Sequence, residues 1–181
     1  MKLDPDAELV ARVGRGDRAA AQTLMARHLP KMLTLARRML SGQAEAEDAV
    51  QEAFLKLWTH AARWRPGQAK FETWLYRVTL NQCYDRLRRK PMVELEKAAY
   101  VADPAPSPES VLQNAALASQ IEAALAELPE RQRAAILLCH YQECGNIEAA
   151  EILGISVEAL ESLLARGRRT LRTKLAHLRD G

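Results

Sequence analysis

The chain has 181 residues, of which 48% are hydrophobic and 27% charged, and its net charge is +3. This length is enough for one ordinary domain or for two small domains with buried cores. The three cysteines lack the spacing of a disulfide framework, and no apolar run is long enough for a signal peptide or a membrane span, so the composition predicts a cytoplasmic protein and argues against secreted scaffolds and integral membrane proteins.

Four helices are predicted in the first ninety residues, because apolar residues recur there at intervals of three and four. They cover residues 8–13, 19–40, 46–64 and 70–89. Asp17 stands where it can cap the second of these helices, and Pro30 either kinks that helix or begins a new turn. The turn residues at 65–67 predict a loop between the third and fourth helices.

The character of the sequence changes after Pro91. Three prolines at 104, 106 and 108 stand among acidic and small residues, which cannot form a helix interior and have little to bury. Further helices are predicted over 109–127, 130–140 and 148–153 and from 156 onward. The sequence therefore predicts an all-α fold of two small domains, 1–91 and 113–181, joined by a flexible, acidic, proline-rich linker at 92–112. It leaves open whether the two domains pack together.

The second domain contains the pattern of a helix-turn-helix. Such a motif needs a small residue where its helices cross, a turn residue that tolerates positive φ, and an apolar residue that fixes the second helix. Ala150, Gly154 and Leu160 meet these needs in that order. Ser156 is a suitable N-cap for the second helix.

The second helix of this motif would lie in the major groove of DNA. Its outward residues are Glu158, Glu161, Ser162, Ala165 and Arg166. Carboxylate and guanidinium groups can hydrogen-bond to cytosine and guanine edges respectively. The basic residues that suit phosphate contacts are Arg168, Arg169, Arg172 and Lys174. The alternative interpretation is an ordinary helical hairpin whose basic face is solvated.

The predicted helix over 70–89 combines an apolar stripe with a polar edge. The stripe consists of Phe71, Trp74, Leu75, Val78 and Leu87, and the polar edge of Asn81, Asp85, Arg88 and Arg89. Amide and carboxylate groups can bind base edges while arginines hold the backbone, and the preceding loop at 64–69 can hold an unstacked base. Trp58 and Trp74 are expected to be mainly core residues. Tyr76 is more open to a role at a melted strand.

The third predicted helix carries a polar stripe beside a strongly apolar one. The polar stripe consists of Asp48, Gln51, Glu52 and Lys56. On physical grounds alone, such a stripe is most simply a solvated surface.

Four motifs follow one another along the chain. They are Asp48-x-x-Gln51-Glu52-x-Phe54-x-x-x-Trp58, then Phe71-x-x-Trp74-Leu75-Tyr76-Arg77 followed by Asn81 and Asp85 to Arg89, then Leu128 to Arg133, and finally Ala150 to Arg169. Together they resemble the extracytoplasmic-function type of the sigma-seventy family, over nearly the whole chain. The resemblance implies a two-domain sigma factor that gives RNA polymerase its promoter specificity and is not an enzyme.

The resemblance also implies three binding surfaces. The minus-ten surface, for the non-template strand, consists of Asn81, Asp85, Arg86, Arg88 and Arg89. The minus-thirty-five surface, for duplex DNA, consists of Glu161, Ser162, Ala165, Arg166, Arg168 and Arg169. The polymerase surface, for the β′ clamp helices of core RNA polymerase, consists of Asp48, Gln51 and Glu52. Further expected partners are the β flap of polymerase, promoter DNA and an anti-sigma factor, with no cofactor, no metal ion and no membrane insertion.

Some features depart from the family pattern or leave rival interpretations. Many relatives place a basic residue at the positions of Glu161 and Leu163, so the bases read here can differ. A helix-turn-helix regulator that acts without docking on core polymerase is the main rival. An enzyme is a second rival, but the sequence contains no Gly-rich phosphate loop, His-Glu-x-x-His or nucleophile elbow. Cys139, His140 and Cys144 suggest a metal or redox cluster, although the first two are adjacent and point apart on a helix.

Overall fold

The computed structural model describes residues 4–89 and 110–178. Over these residues the chain forms eight α-helices and no strand, which confirms the predicted all-α fold. The helices are α1 (Ala7–Gly14), α2 (Arg18–Leu40), α3 (Gln43–His60), α4 (Phe71–Arg89), α5 (Ser110–Ala126), α6 (Glu130–Ile136), α7 (Asn146–Leu153) and α8 (Val157–Lys174). Residues 92–109 of the predicted linker lie outside the described residues. No helix in the described ranges is long and apolar enough to cross a membrane.

Local interactions fix both ends of α2. Asp17 Oδ1 accepts a hydrogen bond from Ala20 N–H at 3.1 Å, and Asp17 Oδ2 accepts one from Arg12 Nε at 2.9 Å. The bond from Ala20, and then the one from Arg12, lower the pKa of the Asp17 carboxyl. At the other end, Ser41 adopts a left-handed conformation with φ of 55°. The helix runs through Pro30 without ending, so Pro30 does not begin a new helix.

Helices α1–α4 form a bundle in which the long α2 contacts the other three. The larger side chains buried in this bundle include Leu24, Met32, Leu35, Val50, Phe54, Leu57, Phe71, Leu75 and Leu80. Burying each such side chain stabilises the fold by about 1.5–3 kcal/mol. Gly14, the last residue of α1, lies directly against the 3₁₀ turn that follows α3. A Cβ atom at Gly14 would stand 2.8 Å from the carbonyl oxygen of Ala61.

This close approach predicts that Gly14→Ala destabilises the protein by about 1–3 kcal/mol. The added methyl group meets backbone atoms of Ala61 and Ala62, which cannot rotate away. Gly145→Ala is the matched control, because a Cβ atom there meets nothing within 4 Å and its φ of −66° suits any residue. Urea unfolding measures both variants. Equal free energies of unfolding for the two would contradict the prediction.

Helices α5–α8 form a second bundle, which contains the helix-turn-helix. α6 continues as a π-helical turn over Leu137–Tyr141. Between α7 and α8, Gly154 has the positive φ, 65°, that the sequence predicts, and Ser156 Oγ caps α8 by accepting from Ala159 N–H at 3.1 Å. Ala150 and Leu160 are buried as predicted. The sequence thus specifies this motif locally.

The two bundles pack against each other, a point that the sequence leaves open. α2 contacts α5 and α6, and α4 contacts α7. At the first of these contacts the guanidinium of Arg133 is buried between the bundles. It donates to Met39 O at 2.5 Å and to Leu128 O at 3.1 Å, and it also donates to Ala126 O. Burial lowers the pKa of Arg133, and these bonds to carbonyl groups compensate for the missing hydration.

The contact between α4 and α7 includes two hydrogen bonds from Arg77. Its Nη2 donates to Glu151 O at 2.5 Å, and its Nε donates to Ile152 O at 3.4 Å. These carbonyls belong to the last turn of α7, whose acceptors lack partners within the helix. Lys70 adds a weaker contact, with its Nζ 3.9 Å from Glu148 Oε1. The first helix of the helix-turn-helix is therefore tied to the helix that carries the minus-ten surface.

Candidate nucleic-acid interface

The minus-ten surface lies along the C-terminal half of α4. Four of its residues are exposed or partly exposed: Asn81, Asp85, Arg88 and Arg89. Arg86 is half-buried and donates to Gln82 Oε1 at 2.9 Å and to Gln82 O at 3.2 Å. Arg88 Nη1 lies 3.9 Å from Asp85 Oδ1. The structure therefore places the predicted residues on one edge, with the Arg86 head group held against its own helix.

Aromatic residues at both ends of the loop before α4 form a cluster of packed rings. The ring centroid of Trp64 lies 6.1 Å from that of Phe71 and 5.8 Å from that of Trp74, both in edge-to-face geometry. The ring of His60 lies 5.6 Å from Trp74. Residues 65–68 above this cluster are exposed. The loop is therefore open to solvent, and the rings of Trp64, Phe71 and Trp74 at its two ends pack against one another.

The minus-thirty-five surface lies on the outer face of α8. Glu161, Ser162, Ala165, Arg166 and Arg169 are exposed, while Leu160 and Leu164 on the opposite face are buried. Ser162 Oγ donates to Glu158 O at 3.0 Å, which leaves its lone pairs free to accept. This arrangement leaves one carboxylate, that of Glu161, and the guanidinium groups of Arg166 and Arg169 exposed on one face of α8.

Two of the basic residues predicted to contact phosphates make side-chain interactions within the protein. Arg168 donates through Nε to His140 Nε2 at 3.3 Å, and Lys174 pairs with Glu127. Arg166 and Arg169 are exposed, and so is Arg172. Arg166, Arg169 and Arg172 are therefore the arginines of α8 whose guanidinium groups make no hydrogen bond or ion pair within the described residues.

The polymerase surface lies on the outer face of α3. Asp48, Gln51 and Glu52 are all exposed. Two large apolar side chains continue the same face, because Leu55 is 51% exposed and Trp58 is 44% exposed. Charged groups beside an exposed aromatic side chain are typical of a protein-binding surface.

Comparison with known proteins identifies the family. Residues 24–91 match Sigma-70 region 2, and residues 118–171 match Sigma-70, region 4. The chain is 34% identical over 168 residues to the ECF RNA polymerase sigma factor SigE of Mycolicibacterium smegmatis. This match covers 89% of this chain and 65% of SigE. It is 32% identical over 181 residues to the ECF RNA polymerase sigma factor SigW of Bacillus subtilis, covering 93% of this chain and 96% of SigW. The chain belongs to the extracytoplasmic-function sigma factors.

The fold of this sigma factor is similar to that of CnrH, solved in complex with the cytosolic domain of CnrY. The two are 27% identical, with a TM-score of 0.72, over 95% of this chain and 97% of CnrH. A sigma factor named CnrH belongs to Cupriavidus metallidurans. Because the likeness covers nearly all of both chains, it extends over both helical bundles.

Two predictions about aromatic residues of this sigma factor are wrong. The sequence predicts Trp58 in the core, but this residue lies largely on the surface of α3, because it stands at the edge of the apolar stripe. The sequence predicts Tyr76 to be open to a melted strand, but only 2% of it is exposed. Its hydroxyl donates to Gln142 Oε1 of the second bundle at 3.0 Å, and burial raises the pKa of Tyr76 well above its usual value. Trp74 packs in the aromatic cluster, as expected.

The sequence interpretation misses Leu55 as part of the exposed face of α3. Gln51, Leu55 and Trp58 are spaced by four and three residues, which places them on one helical face. That spacing is a usable signal. The interpretation also misses an apolar groove between α5, α6 and α8, lined by Ile121, Leu125, Ile136, Leu171, Leu175 and Leu178. The groove brings together residues more than 50 positions apart, so no local pattern reveals it.

The cysteines beside His140 in this sigma factor serve packing. Burial raises the pKa of the Cys144 thiol to about 12 and also raises the pKa of Cys139. Nε2 of the His140 ring accepts from Arg168 Nε at 3.3 Å. Within residues 4–89 and 110–178, no three His, Cys, Asp or Glu side chains come together as a metal site.

Proposed function

We propose that this sigma factor binds core RNA polymerase in the cytoplasm and directs it to promoters through two separate DNA-reading surfaces, without catalysing a reaction itself. The observation that carries the proposal is their coexistence in one chain. An exposed polar and basic edge on α4 stands beside an exposed loop, and an exposed helix-turn-helix face stands on α8. Neither a simple repressor nor an enzyme needs both surfaces.

At the minus-ten element, Asn81 and Asp85 are the residues proposed to bind bases. They stand four residues apart and so point from the same side of α4. Arg88 and Arg89 extend beyond them for the phosphates, and Arg86 supports the edge from beside Gln82. The exposed loop at 65–68 is proposed to take an unstacked base, whose capture offsets the cost of opening the duplex.

At the minus-thirty-five element, α8 is proposed to enter the major groove. Arg166 suits guanine, Glu161 suits cytosine, and Ala165 suits the methyl group of thymine. Ser162 can accept from or donate to either kind of base edge. Arg169 is proposed to hold the phosphates, and Arg168 joins it when it releases His140.

Polymerase docking is proposed to use two apolar surfaces with polar rims. Asp48, Gln51 and Glu52, extended by Leu55 and Trp58, are proposed to bind the β′ clamp helices. The groove between α5, α6 and α8 is proposed to bind the β flap, because apolar side chains line its floor and Arg168, Arg172 and His140 line its edge.

Control by an anti-sigma factor is also proposed. The family resemblance implies such a partner, and the solved relative CnrH is in complex with the cytosolic domain of CnrY. The packed bundles of this chain offer one compact target for a partner of that kind. Affinity purification of the tagged factor from its own host, followed by mass spectrometry, is expected to recover one stoichiometric protein besides polymerase. Recovery of polymerase alone, with full activity in unstressed cells, would remove this part of the proposal.

The experiment that tests the main proposal is run-off transcription with purified core polymerase. Promoters are first selected from a random DNA pool with the reconstituted holoenzyme. The factor and core polymerase together are expected to start transcripts from the selected sequences, whereas core polymerase alone does not. A helix-turn-helix regulator without polymerase docking requires another sigma factor in the reaction. Failure of the purified chain to bind core polymerase would reject the proposal.

A further inference from the structure

The N-terminal segment before α1 reaches across the first bundle to the start of α4. Asp4 Oδ2 accepts a hydrogen bond from Phe71 N–H at 2.8 Å, and Asp4 Oδ1 accepts one from Asp6 N–H at 3.0 Å. Phe71 is the first residue of α4, so this N–H has no partner within the helix. The Asp4 carboxylate therefore caps α4 from a distance of 67 residues along the chain.

The residue in the normal capping position cannot perform this task. Lys70 O accepts the first bond of α4, from Trp74 N–H at 3.1 Å, so Lys70 occupies the N-cap position. A lysine side chain has three donors and no acceptor, and its positive charge opposes the helix dipole. Asp4 supplies both the missing acceptor and a negative charge at the positive end of the helix.

Asp6 anchors the segment that carries Asp4. Only 2% of Asp6 is exposed, and its Oδ2 lies 2.8 Å from His28 Nε2. Its Oδ1 pairs with the guanidinium of Arg27, the neighbouring residue on α2. A carboxylate this deeply buried is stable only when it is paired, and breaking the pair leaves an uncompensated charge. The segment is therefore held firmly against α2.

The same contacts reach the aromatic cluster under the loop. The ring of His28 lies edge-on to Phe71, with centroids 5.4 Å apart. Glu72, the next residue of α4, accepts from Lys31 Nζ of α2 at 2.7 Å. The loop at 65–68 is thus held at both ends. Trp64 packs in the aromatic cluster at its start, and the capped first turn of α4 follows its end.

We propose that Asp4 and Asp6 are positioning residues for minus-ten recognition. They hold the first turn of α4, and with it the end of the loop, in the shape that receives an unstacked base. Neither carboxylate faces the DNA strand as a free charge, because both are occupied by donors of the protein. This inference rests on the proposed function of the loop and of α4.

The test measures three affinities of the Asp4→Ala variant: two for DNA, measured with reconstituted holoenzyme, and one for core polymerase, measured with the free factor. The probes are a single-stranded minus-ten oligonucleotide and a minus-thirty-five duplex, both taken from promoters selected with the wild-type holoenzyme, and core polymerase itself. The affinity for the minus-ten oligonucleotide is expected to fall about 10-fold, because the variant loses a helix cap that holds the proposed binding site in shape. The affinities for the duplex and for core polymerase are expected to stay within about twofold, because the side-chain hydrogen bonds of Asp4 go to Asp6 and Phe71 and not to α8 or α3.

A second-site variant separates capping from general stability. Lys70→Asn in the Asp4→Ala background places an acceptor at the N-cap position of α4. It binds the N–H of Glu72 or Thr73 rather than that of Phe71, and so stabilises the same first turn in another way. This double variant is expected to recover most of the minus-ten affinity. An unchanged minus-ten affinity in Asp4→Ala, an equal loss of all three affinities, or no recovery in the double variant would each overturn the inference. Failure of the wild-type chain to bind core polymerase would instead overturn the proposed function.

Discussion

Trp58→Glu is expected to weaken binding to core RNA polymerase by about 30-fold or more, because buried aromatic anchors dominate the affinity of protein interfaces. Trp58 is 44% exposed on the outer face of α3, beside the polymerase surface. A carboxylate there cannot fill an apolar pocket on the partner, and it adds negative charge beside Asp48 and Glu52. Titration of labelled core polymerase with the variant measures the change, and run-off transcription should fall in parallel.

Met25→Glu is the matched control for that variant. Met25 is 37% exposed on α2, so the substitution places a similar charge at a similar degree of exposure on another helix. It is expected to change the affinity for core polymerase by less than about twofold, since substitutions outside an interface are nearly neutral. Both variants should unfold at similar temperatures. Equal affinities of Trp58→Glu and wild type would show that polymerase docks elsewhere.

The double charge reversal Arg88→Glu with Arg166→Glu is expected to lower promoter affinity about 100-fold or more at moderate salt. Each arginine is exposed, one on the minus-ten surface and one on the minus-thirty-five surface. Each substitution removes a positive charge that is proposed to face the DNA, and the new carboxylate would repel the phosphates. The salt dependence of binding should also weaken, by about one unit of slope for each phosphate that the variant no longer neutralises. Holoenzyme binding to selected promoters over a range of salt concentrations measures both effects.

Arg15→Glu with Arg18→Glu gives the same change in net charge at a different place. Both residues are exposed around the start of α2, away from the two DNA-reading surfaces. This control is expected to reduce promoter affinity by less than about threefold, through long-range charge alone. If the control and the test variant weaken promoter binding equally, net charge rather than the two surfaces explains DNA binding. Normal initiation by the test variant would reject both surfaces.

The features that the sequence predicts well are those set by neighbouring residues. The cap at Asp17, the positive φ at Gly154 and the cap at Ser156 each depend on a few adjacent positions, and the structure confirms all three. The exposed edges of α4 and α8 follow from helical spacing in the same way. Local chemistry is therefore sufficient for the helix-turn-helix and for the exposure of the residues that are proposed to read DNA.

The features that the sequence does not predict depend on contacts between distant parts of the chain. Tyr76 lies outside the predicted apolar stripe of α4, so its spacing does not indicate burial. Only the fold shows that its hydroxyl meets Gln142 of the second bundle. Trp58 lies at the border of such a stripe, where a small rotation of the helix decides burial. Asp4 caps a helix 67 residues away, and no rule of local spacing indicates that pairing.

The packing of α4 against α7 has a consequence for how the protein engages a promoter. Elements centred near positions −10 and −35 lie about 25 base pairs apart, or about 85 Å along a duplex, while Asn81 and Gly154 line the same crevice between α4 and α7. With the two surfaces bound as proposed, one molecule in this packed arrangement would reach only one element at a time. Separating the bundles would break the bonds from Arg77 to α7 and expose Tyr76. The free energy of this rearrangement would then reduce the net free energy of the proposed binding to polymerase. Any ligand that prefers the packed arrangement lowers the amount of factor that polymerase can recruit.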